Sequence, residues 1–258
     1  MYVDLVNEVN KTGTKLPSIN LAVTGGAPCA PQLYADIQGV LGVEQVKTIY
    51  GLTETTCVCF HSVCKESQEN ILNTVGRLGD HWEAKVVDRD GSTVPYGMPG
   101  ELCVRGYGTM LGYWEDEQKT KETIGMDKWL KTGDQFVLRE DGYGKIVGRI
   151  KEVVIRGGEN IYPREIEDVL ITHPDVLEVH CVGVPDDRMG EELCAFVRLS
   201  NDMANLNQVQ VKEFCKRKIA HFKVPKYVEM IDHFPKTTSG KIQKFKLLER
   251  FMQNKKRV

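Results

Sequence analysis

Two short segments of the chain combine glycine with reactive side chains where an apolar run ends. They are residues 24–28, with the sequence TGGAP, and residues 50–56, with the sequence YGLTETT. Glycine lets a backbone approach a flat ligand closely, and α/β proteins bind their ligands beyond the carboxyl ends of parallel strands. The two segments therefore predict a ligand-binding edge.

Three side chains of the second segment offer three kinds of chemistry. Tyr50 could pack on a heterocycle, and Thr53 could donate a hydrogen bond to a phosphate oxygen. Glu54 could give Mg²⁺ the hard oxygen ligand that this ion prefers. The same residues also fit a helix start, with Thr53 as the N-cap and a glutamate in the first turn. Both interpretations stay open on the residues alone.

Two further segments carry charge beside glycine. In residues 131–134, KTGD, the Asp134 carboxylate could accept both hydroxyls of a ribose, or the segment is a solvated turn. Residues 148–152, GRIKE, lie where the composition of the chain changes, which is typical of a hinge. A charged surface hairpin is the alternative for that segment.

The fifth segment, residues 235–242 (PKTTSGKI), superficially resembles a phosphate-binding P-loop but is not one. That motif needs Gly where Pro235 stands and Ser or Thr where Ile242 stands. Lys241 could still bring a compact positive charge to a carboxylate or phosphate. An ordinary exposed lysine is the alternative.

A rival site lies in residues 57–64, CVCFHSVC, which hold four potential zinc ligands. Strand alternation would put Cys57, Cys59 and His61 on one face. However, no second pair of ligands follows, and the spacing is not that of a common closed zinc site. We therefore expect these side chains to serve packing.

The elements that would position these segments follow from the apolar pattern. A strand over residues 19–23, a helix over residues 31–41 and a strand over residues 46–50 predict a parallel α/β sheet. From about residue 76, short alternating segments separated by Asp-Gly turns predict a small antiparallel sheet or barrel. Beyond residue 149 we expect a hairpin, a helix beginning at Pro163, two strands and a second helix.

Composition excludes several functional classes. The chain has 258 residues, enough for one or two domains of ~150 residues. A net charge of −2 gives no support to nucleic-acid binding. No apolar run is long enough to cross a bilayer, and the start of the chain is not a secretory signal. Eight scattered cysteines predict a reduced, intracellular protein.

In their order along the chain, the motifs resemble those of the adenylate-forming superfamily, and within it the acyl-CoA synthetases. The resemblance covers about residues 20–248 and rests on GGAP, YGLTETT, GRLG, PGELCVRG, MLGYW, KTGD, GRIKEVVIRGGENIYPREIE and PKTTSGKIQK. It implies the end of a parallel α/β AMP-binding subdomain in residues 1–75, an antiparallel β-barrel subdomain in 76–149 and a mobile α+β C-terminal domain in 150–258.

The resemblance also implies a role for individual residues. Tyr50 matches the residue against adenine, Asp134 the acceptor of the ribose hydroxyls and Lys151 the hinge. Residues implied in binding nucleotide or CoA are Gly25, Gly26, Ala27, Tyr50, Gly51, Asp134, Arg149, Lys151, Gly157 and Gly158. Residues implied in catalysis are Lys241, Thr53 and Glu54, with Thr53 at the α-phosphate and Glu54 as the Mg²⁺ ligand.

The implied reaction has two steps. A fatty-acid carboxylate attacks the α-phosphate of ATP, giving acyl-AMP and pyrophosphate, and Lys241 and Mg²⁺ offset the charge. The C-terminal domain then turns and admits CoA, whose pantetheine arm passes Gly157 and Gly158. The resemblance is strongest to a medium-chain, mitochondrial member, so the expected activity is ATP-dependent medium-chain fatty acid:CoA ligation.

The sequence departs from the family in one respect. Family members are considerably longer and carry upstream a Ser/Thr/Gly-rich loop that holds the β- and γ-phosphates, and nothing before Asn20 resembles it. We therefore expect the chain to be the C-terminal portion of such an enzyme, without its targeting segment. Two alternatives stay open: an inactive fragment that binds nucleotide or a partner, and an adenylating enzyme that loads a carrier protein.

Overall fold

Alternating and helix-spaced apolar residues form four buried clusters within the described part of the chain. The computed structural model describes residues 1–26, 29, 31–200, 206–216, 218–238 and 240–255. The chain divides into two units, Met1–Val147 and Gly148–Val258, with two of the clusters in each. None of the helices in the described ranges has the length and apolar character needed to cross a bilayer.

The first unit begins with the predicted parallel α/β arrangement. Its first strands pair in parallel, with Ala22 opposite Val46, because a helix connects them. This confirms the predicted strand, helix and strand. The elements are α1 (Tyr2–Thr12), β1 (Leu21–Gly25), α2 (Pro31–Gly39), β2 (Gln45–Tyr50), a 3₁₀ segment (Thr53–Thr55), β3 (Phe60–His61), α3 (Gln68–Asn73) and β4 (Arg77–Leu78). The sheet order is β1-β2-β3-β4, and β3 runs antiparallel to β2.

A second sheet completes the first unit and corrects one prediction. Its order is β5-β6-β7-β8, and in the described residues it is an open sheet, not the closed barrel that we predicted. Four strands span too small an arc for the two edge strands to meet. The elements are β5 (Trp82–Val87), β6 (Pro99–Gly106), α4 (Glu117–Thr123), β7 (Leu130–Leu138) and β8 (Gly144–Arg149), and the division between the units falls within β8.

The second unit is a mixed sheet covered by helices. Its order is β10-β9-β12-β11, with β13 parallel to β12. The predicted hairpin and the helix with Pro163 in its first turn are confirmed. The elements are a 3₁₀ segment (Ile150–Glu152), β9 (Val154–Arg156), β10 (Glu159–Ile161), α5 (Pro163–Leu170), β11 (Val176–Asp186), β12 (Gly190–Leu199), α6 (Gln208–Lys216), a 3₁₀ segment (His221–Lys223), β13 (Tyr227–Met230) and α7 (Lys244–Lys255).

The overall class is therefore mixed α/β with several sheets, as predicted. The fold class follows from the apolar periodicity because helices and strands with a periodic apolar pattern bury one face. The limits of the three predicted domains stay predictions.

Gly76 provides a stability test of the first unit. Its φ is +84°, and a Cβ at this position would lie 2.1 Å from the carbonyl carbon of His61. We expect Gly76→Ala to lower the free energy of unfolding by more than about 2 kcal/mol, since left-handed strain and a backbone clash add. Gly91, with a φ of +83° and open space around it, is the matched control. Equal losses for both alanines in urea unfolding would contradict the packing argument.

Candidate active site

The side chain of Tyr50 links the two sheets of the first unit. Tyr50 is the last residue of β2 and is 6% exposed, with its ring centroid 5.8 Å from that of Phe136. Its hydroxyl donates a hydrogen bond of 2.6 Å to Oδ2 of Asp134. Burial, reinforced by the charge of Asp134, raises the pKa of Tyr50 well above its usual range. Tyr50 is therefore a permanent donor to this carboxylate.

Asp134 is a buried carboxylate whose neighbours form hydrogen bonds around it. It lies in β7 and is 3% exposed. Its backbone N–H donates to Oγ1 of Thr132 at 3.1 Å, and the Thr132 hydroxyl donates to the Leu102 carbonyl at 2.9 Å. A buried ionised group is tolerated only where hydrogen bonds compensate for lost water. The Thr132 contact thus fixes the Asp134 backbone, and the Tyr50 hydroxyl supplies a donor to its carboxylate.

The loop after β2 is closed by its own side chains. Thr55 Oγ1 accepts a hydrogen bond from the Leu52 N–H at 2.8 Å and donates one to the Leu52 carbonyl at 3.1 Å. The loop folds back so tightly that a Cβ on Gly51 would lie 2.0 Å from the Cys57 carbonyl oxygen. Thr53 is the first residue inside the 3₁₀ segment, and Leu52 occupies the N-cap. The alternative in which Thr53 is the N-cap is therefore wrong. Thr53 is an exposed residue.

Glu54 has a partner that the sequence analysis missed. Oε1 of Glu54 accepts a hydrogen bond of 2.7 Å from the Tyr113 hydroxyl. Burial, followed by the hydrogen bond to Glu54 and then the Glu54 charge, raises the pKa of Tyr113, so the donor stays protonated. Tyr113 belongs to the MLGYW motif, and a phenol beside a glycine was the only signal in the sequence. The contact fixes the carboxylate without neutralising it.

The side chains around Glu54 suit a magnesium ion that is bound together with a nucleotide, and not one whose ligands all come from the protein. No group of three or more His, Cys, Asp or Glu side chains that could hold a metal ion occurs in the described ranges. Mg²⁺ is commonly held by one or two carboxylates together with substrate phosphates. Glu54 offers one such oriented carboxylate, so the residues fit this ion.

Gly25 is the last residue of β1, and its close approach to β2 fits strand packing. Gly25 pairs with Ile49, and a Cβ there would lie 2.5 Å from Ile49 Cγ1. Gly26 follows with a φ of +75°. Ala27, the third residue implied in binding, lies outside the described residues.

The predicted grouping of the rival zinc ligands on one strand face is wrong. Cys57 is exposed and has a φ of +75°, so it lies in a turn, because the strand covers only Phe60–His61. Cys59 is buried, whereas His61 is exposed. All eight cysteines are free thiols.

The remaining predicted site residues belong to the second unit. Arg149 and Lys151 are exposed at the 3₁₀ segment Ile150–Glu152. Gly157 and Gly158 form the turn between β9 and β10, where the Gly157 N–H donates to the Met189 carbonyl at 2.8 Å.

Lys241 is exposed, in a turn of the second unit. The Thr237 N–H donates to the Lys241 carbonyl at 2.8 Å, and the Gly240 N–H donates to the Thr237 carbonyl at 2.9 Å. The turn thus holds the lysine backbone while its ammonium faces solvent.

Two family models match this chain. The model of AMP-binding enzymes matches residues 1–114, and that of the AMP-binding enzyme C-terminal domain matches residues 165–241. Together the two matches cover most of the sequence. The chain therefore belongs to the AMP-binding enzyme family, which confirms the resemblance of its motifs.

Curated proteins similar to this chain are named as acyl-CoA ligases or synthetases. The chain is 45% identical over 255 residues to the mitochondrial medium-chain acyl-CoA ligase ACSF2 of Bos taurus, and 47% identical over 251 residues to that of Danio rerio. It is 42% identical over 254 residues to the putative acyl-CoA synthetase YngI of Bacillus subtilis (strain 168). These alignments cover 97–98% of the chain, but only 41% of the two ACSF2 proteins and 46% of YngI.

Two solved structures of other proteins superpose on this chain. ATP-bound MatB from Rhodopseudomonas palustris superposes with a TM-score of 0.83 at 33% identity, over 90% of this chain and 45% of that one. The amide bond synthetase McbA from Marinactinospora thermotolerans superposes with a TM-score of 0.87 at 31% identity, over 97% and 50%.

The Tyr50–Asp134 hydrogen bond yields a stability prediction. We expect Tyr50→Phe to lower the free energy of unfolding by about 1–3 kcal/mol, because a buried carboxylate loses a donor. The measurement is denaturant unfolding of the first unit. Tyr34→Phe is the control, since Tyr34 is equally buried and its hydroxyl has no carboxylate partner among the described residues. A loss no greater than that of the control would refute the assigned strength of the bond.

Proposed function

We propose that this chain takes part in the ATP-dependent ligation of a medium-chain fatty acid to CoA. The observation that carries the proposal is the Tyr50–Asp134 pair beside Thr53 and Glu54, in a chain of the AMP-binding enzyme family. The names of the ACSF2 relatives supply the substrate class and the mitochondrial location.

In the proposed first step, the first unit binds the nucleotide. Asp134 accepts the two ribose hydroxyls while Tyr50 holds its carboxylate, and Tyr50 presents its remaining exposed edge to adenine. Thr53 donates a hydrogen bond from its hydroxyl to the α-phosphate, and Glu54 would hold Mg²⁺. Magnesium, when bound, offsets the negative charge of the phosphate oxygens. The positions of these groups before reaction reduce the entropic cost of bringing the reactants together.

In the proposed reaction, the second unit moves between the two steps and supplies Lys241 to the first. In our proposal residues 1–75 and 76–149 form the nucleotide-binding part, and residues 150–258 form a domain that turns about Lys151 with Arg149 beside it. Lys241 bridges the fatty-acid carboxylate and the α-phosphate, two anions that otherwise repel each other. After acyl-AMP forms, the turned domain brings Gly157 and Gly158 to the pantetheine arm of CoA.

We propose CoA as the acceptor of the acyl group, and two other acceptors can be tested against it. McbA, one of the structural neighbours, is named an amide bond synthetase, and a carrier-protein thiol is a further possible acceptor. Product analysis with CoA, a carrier protein and an amine, each added to preformed acyl-AMP, separates the three. A protein that binds nucleotide and forms no acyl-AMP would favour the inactive alternative.

Lys241 gives the direct test of the first step. The test uses the protein at the length at which it is naturally made, called here the natural-length protein. In this protein we expect Lys241→Ala to slow pyrophosphate release about 10²–10³-fold. Thioester formation from supplied acyl-AMP and CoA stays near the wild-type rate, because the ammonium acts only while two anions meet. Lys246→Ala, which removes an exposed lysine of α7, is the control. Equal loss of both half-reactions would overturn the assignment of Lys241.

Tyr113 gives a test of the proposed metal ligand. We expect Tyr113→Phe to raise the Mg²⁺ concentration needed for half-maximal pyrophosphate release roughly tenfold, since outer partners of metal ligands have effects of this size. The matched control is Tyr143→Phe, because Tyr143 donates in the same way to Glu66 at 2.9 Å. A Mg²⁺ requirement that both variants leave unchanged would show that Tyr113 does not position a metal ligand.

A further inference from the structure

Three lysines lie in or beside the turn that carries Lys241, and two of them form ion pairs with glutamates. Lys236 Nζ lies 2.9 Å from Oε1 of Glu178 on β11. Lys244 Nζ lies 2.6 Å from Oε2 of Glu152 and 3.0 Å from Oε1 of Glu167. Lys241, between them, is exposed.

The ammonium group of Lys244 is partly buried and is stabilised by two carboxylates. It is the first residue of α7 and is 22% exposed. Burial by itself lowers the pKa of Lys244, but the charges of Glu167 and Glu152 raise it above the usual value. A cation is also unfavourable at the positive end of a helix dipole. The two glutamates compensate for both costs.

Backbone contacts connect Lys244 rigidly to the Lys241 turn. The Gln243 N–H donates to the Pro235 carbonyl at 2.9 Å. Lys236 and Ile242 form an antiparallel bridge at the base of the turn. A displacement of Lys244 therefore moves the turn, since only Gln243, itself hydrogen-bonded to Pro235, separates Lys244 from the bridge.

The other end of the contact lies in the proposed hinge. Glu152 is the last residue of the 3₁₀ segment Ile150–Glu152, which contains Lys151. Glu167 is fixed to the sheet, because its Oε1 accepts a hydrogen bond of 2.8 Å from the Cys181 N–H. Lys244 thus joins the hinge segment, helix α5 and strand β11 at one point.

We infer that Lys244 is a positioning residue: through Glu152 it makes the 3₁₀ segment and the Lys241 turn move as one body. The bend of the hinge then falls before Glu152, and the direction of Lys241 follows the direction of the segment. This inference rests on the proposed function for its kinetic consequences, but not for its structural ones.

The structural consequence is tested by hydrogen exchange in the natural-length protein. We expect Glu152→Ala to speed amide exchange across residues 150–154 roughly 3- to 10-fold, the range for a partly exposed charged hydrogen bond. The matched control is Glu165→Ala. Glu165 is 40% exposed and Glu152 38%, and each pairs with a lysine that is 22% exposed, at 2.7 and 2.6 Å. The control should leave exchange at 150–154 unchanged.

Measuring the two half-reactions separately distinguishes a role of Glu152 in positioning Lys241 from a role in overall stability. We expect Glu152→Ala to slow pyrophosphate release about 3- to 10-fold, since Lys241 loses a defined pose, and to spare thioester formation from supplied acyl-AMP. Glu165→Ala should leave both steps alone. If Glu152→Ala fails to fold, Glu152→Gln, which keeps an acceptor for Lys244, should show the same pattern with smaller changes.

Each outcome decides the inference. Unchanged exchange at 150–154, or equal loss of both half-reactions, overturns it. If the wild-type protein forms no acyl-AMP, the proposed function fails, and the exchange comparison alone decides whether Glu152 and Lys244 hold the segment.

Discussion

The hydrogen bond from Tyr50 to Asp134 is the constraint on which the first unit depends. It joins the end of β2 in one sheet to β7 in the other. A carboxylate that is 3% exposed destabilises the fold unless donors replace its lost water. The aromatic cluster of Tyr50, Phe60 and Phe136 fixes the donor, so the packing of the core and the geometry of the candidate site are the same set of contacts.

Both candidate carboxylates of this unit receive their hydrogen bonds from tyrosines, and this choice has an electrostatic consequence. Tyr50 binds Asp134 and Tyr113 binds Glu54. A phenol orients a carboxylate while leaving its charge in place, whereas a lysine or arginine would neutralise it. In the second unit the arrangement differs, because Glu152 and Glu167 are paired with Lys244. Glu152 and Glu167 therefore share a cation, whereas Asp134 and Glu54 each receive a hydrogen bond from a neutral phenol.

The sequence was sufficient to predict local structure and insufficient to predict side-chain pairing. The parallel strands and the helix at Pro163 follow from apolar periodicity and turn residues, which act over short distances. Tyr50 and Asp134 are 84 residues apart, and Glu152 and Lys244 are 92. Such contacts depend on how sheets and helices pack. The prediction of a closed barrel was wrong for a related reason. The alternation of apolar and polar residues specifies strands, but it does not specify whether a sheet closes.

The charge of the candidate site explains why the proposed reaction would need a second unit. In our proposal, the carboxylates of Asp134 and Glu54 would repel a triphosphate and a fatty-acid carboxylate, so productive binding would need cations that arrive with or after these ligands. Magnesium is one such cation. Lys241 is suited to be the other because the turn fixes its backbone while its ammonium stays exposed. A cation on a separate unit can be withdrawn after acyl-AMP forms, which a lysine built beside Asp134 could not be.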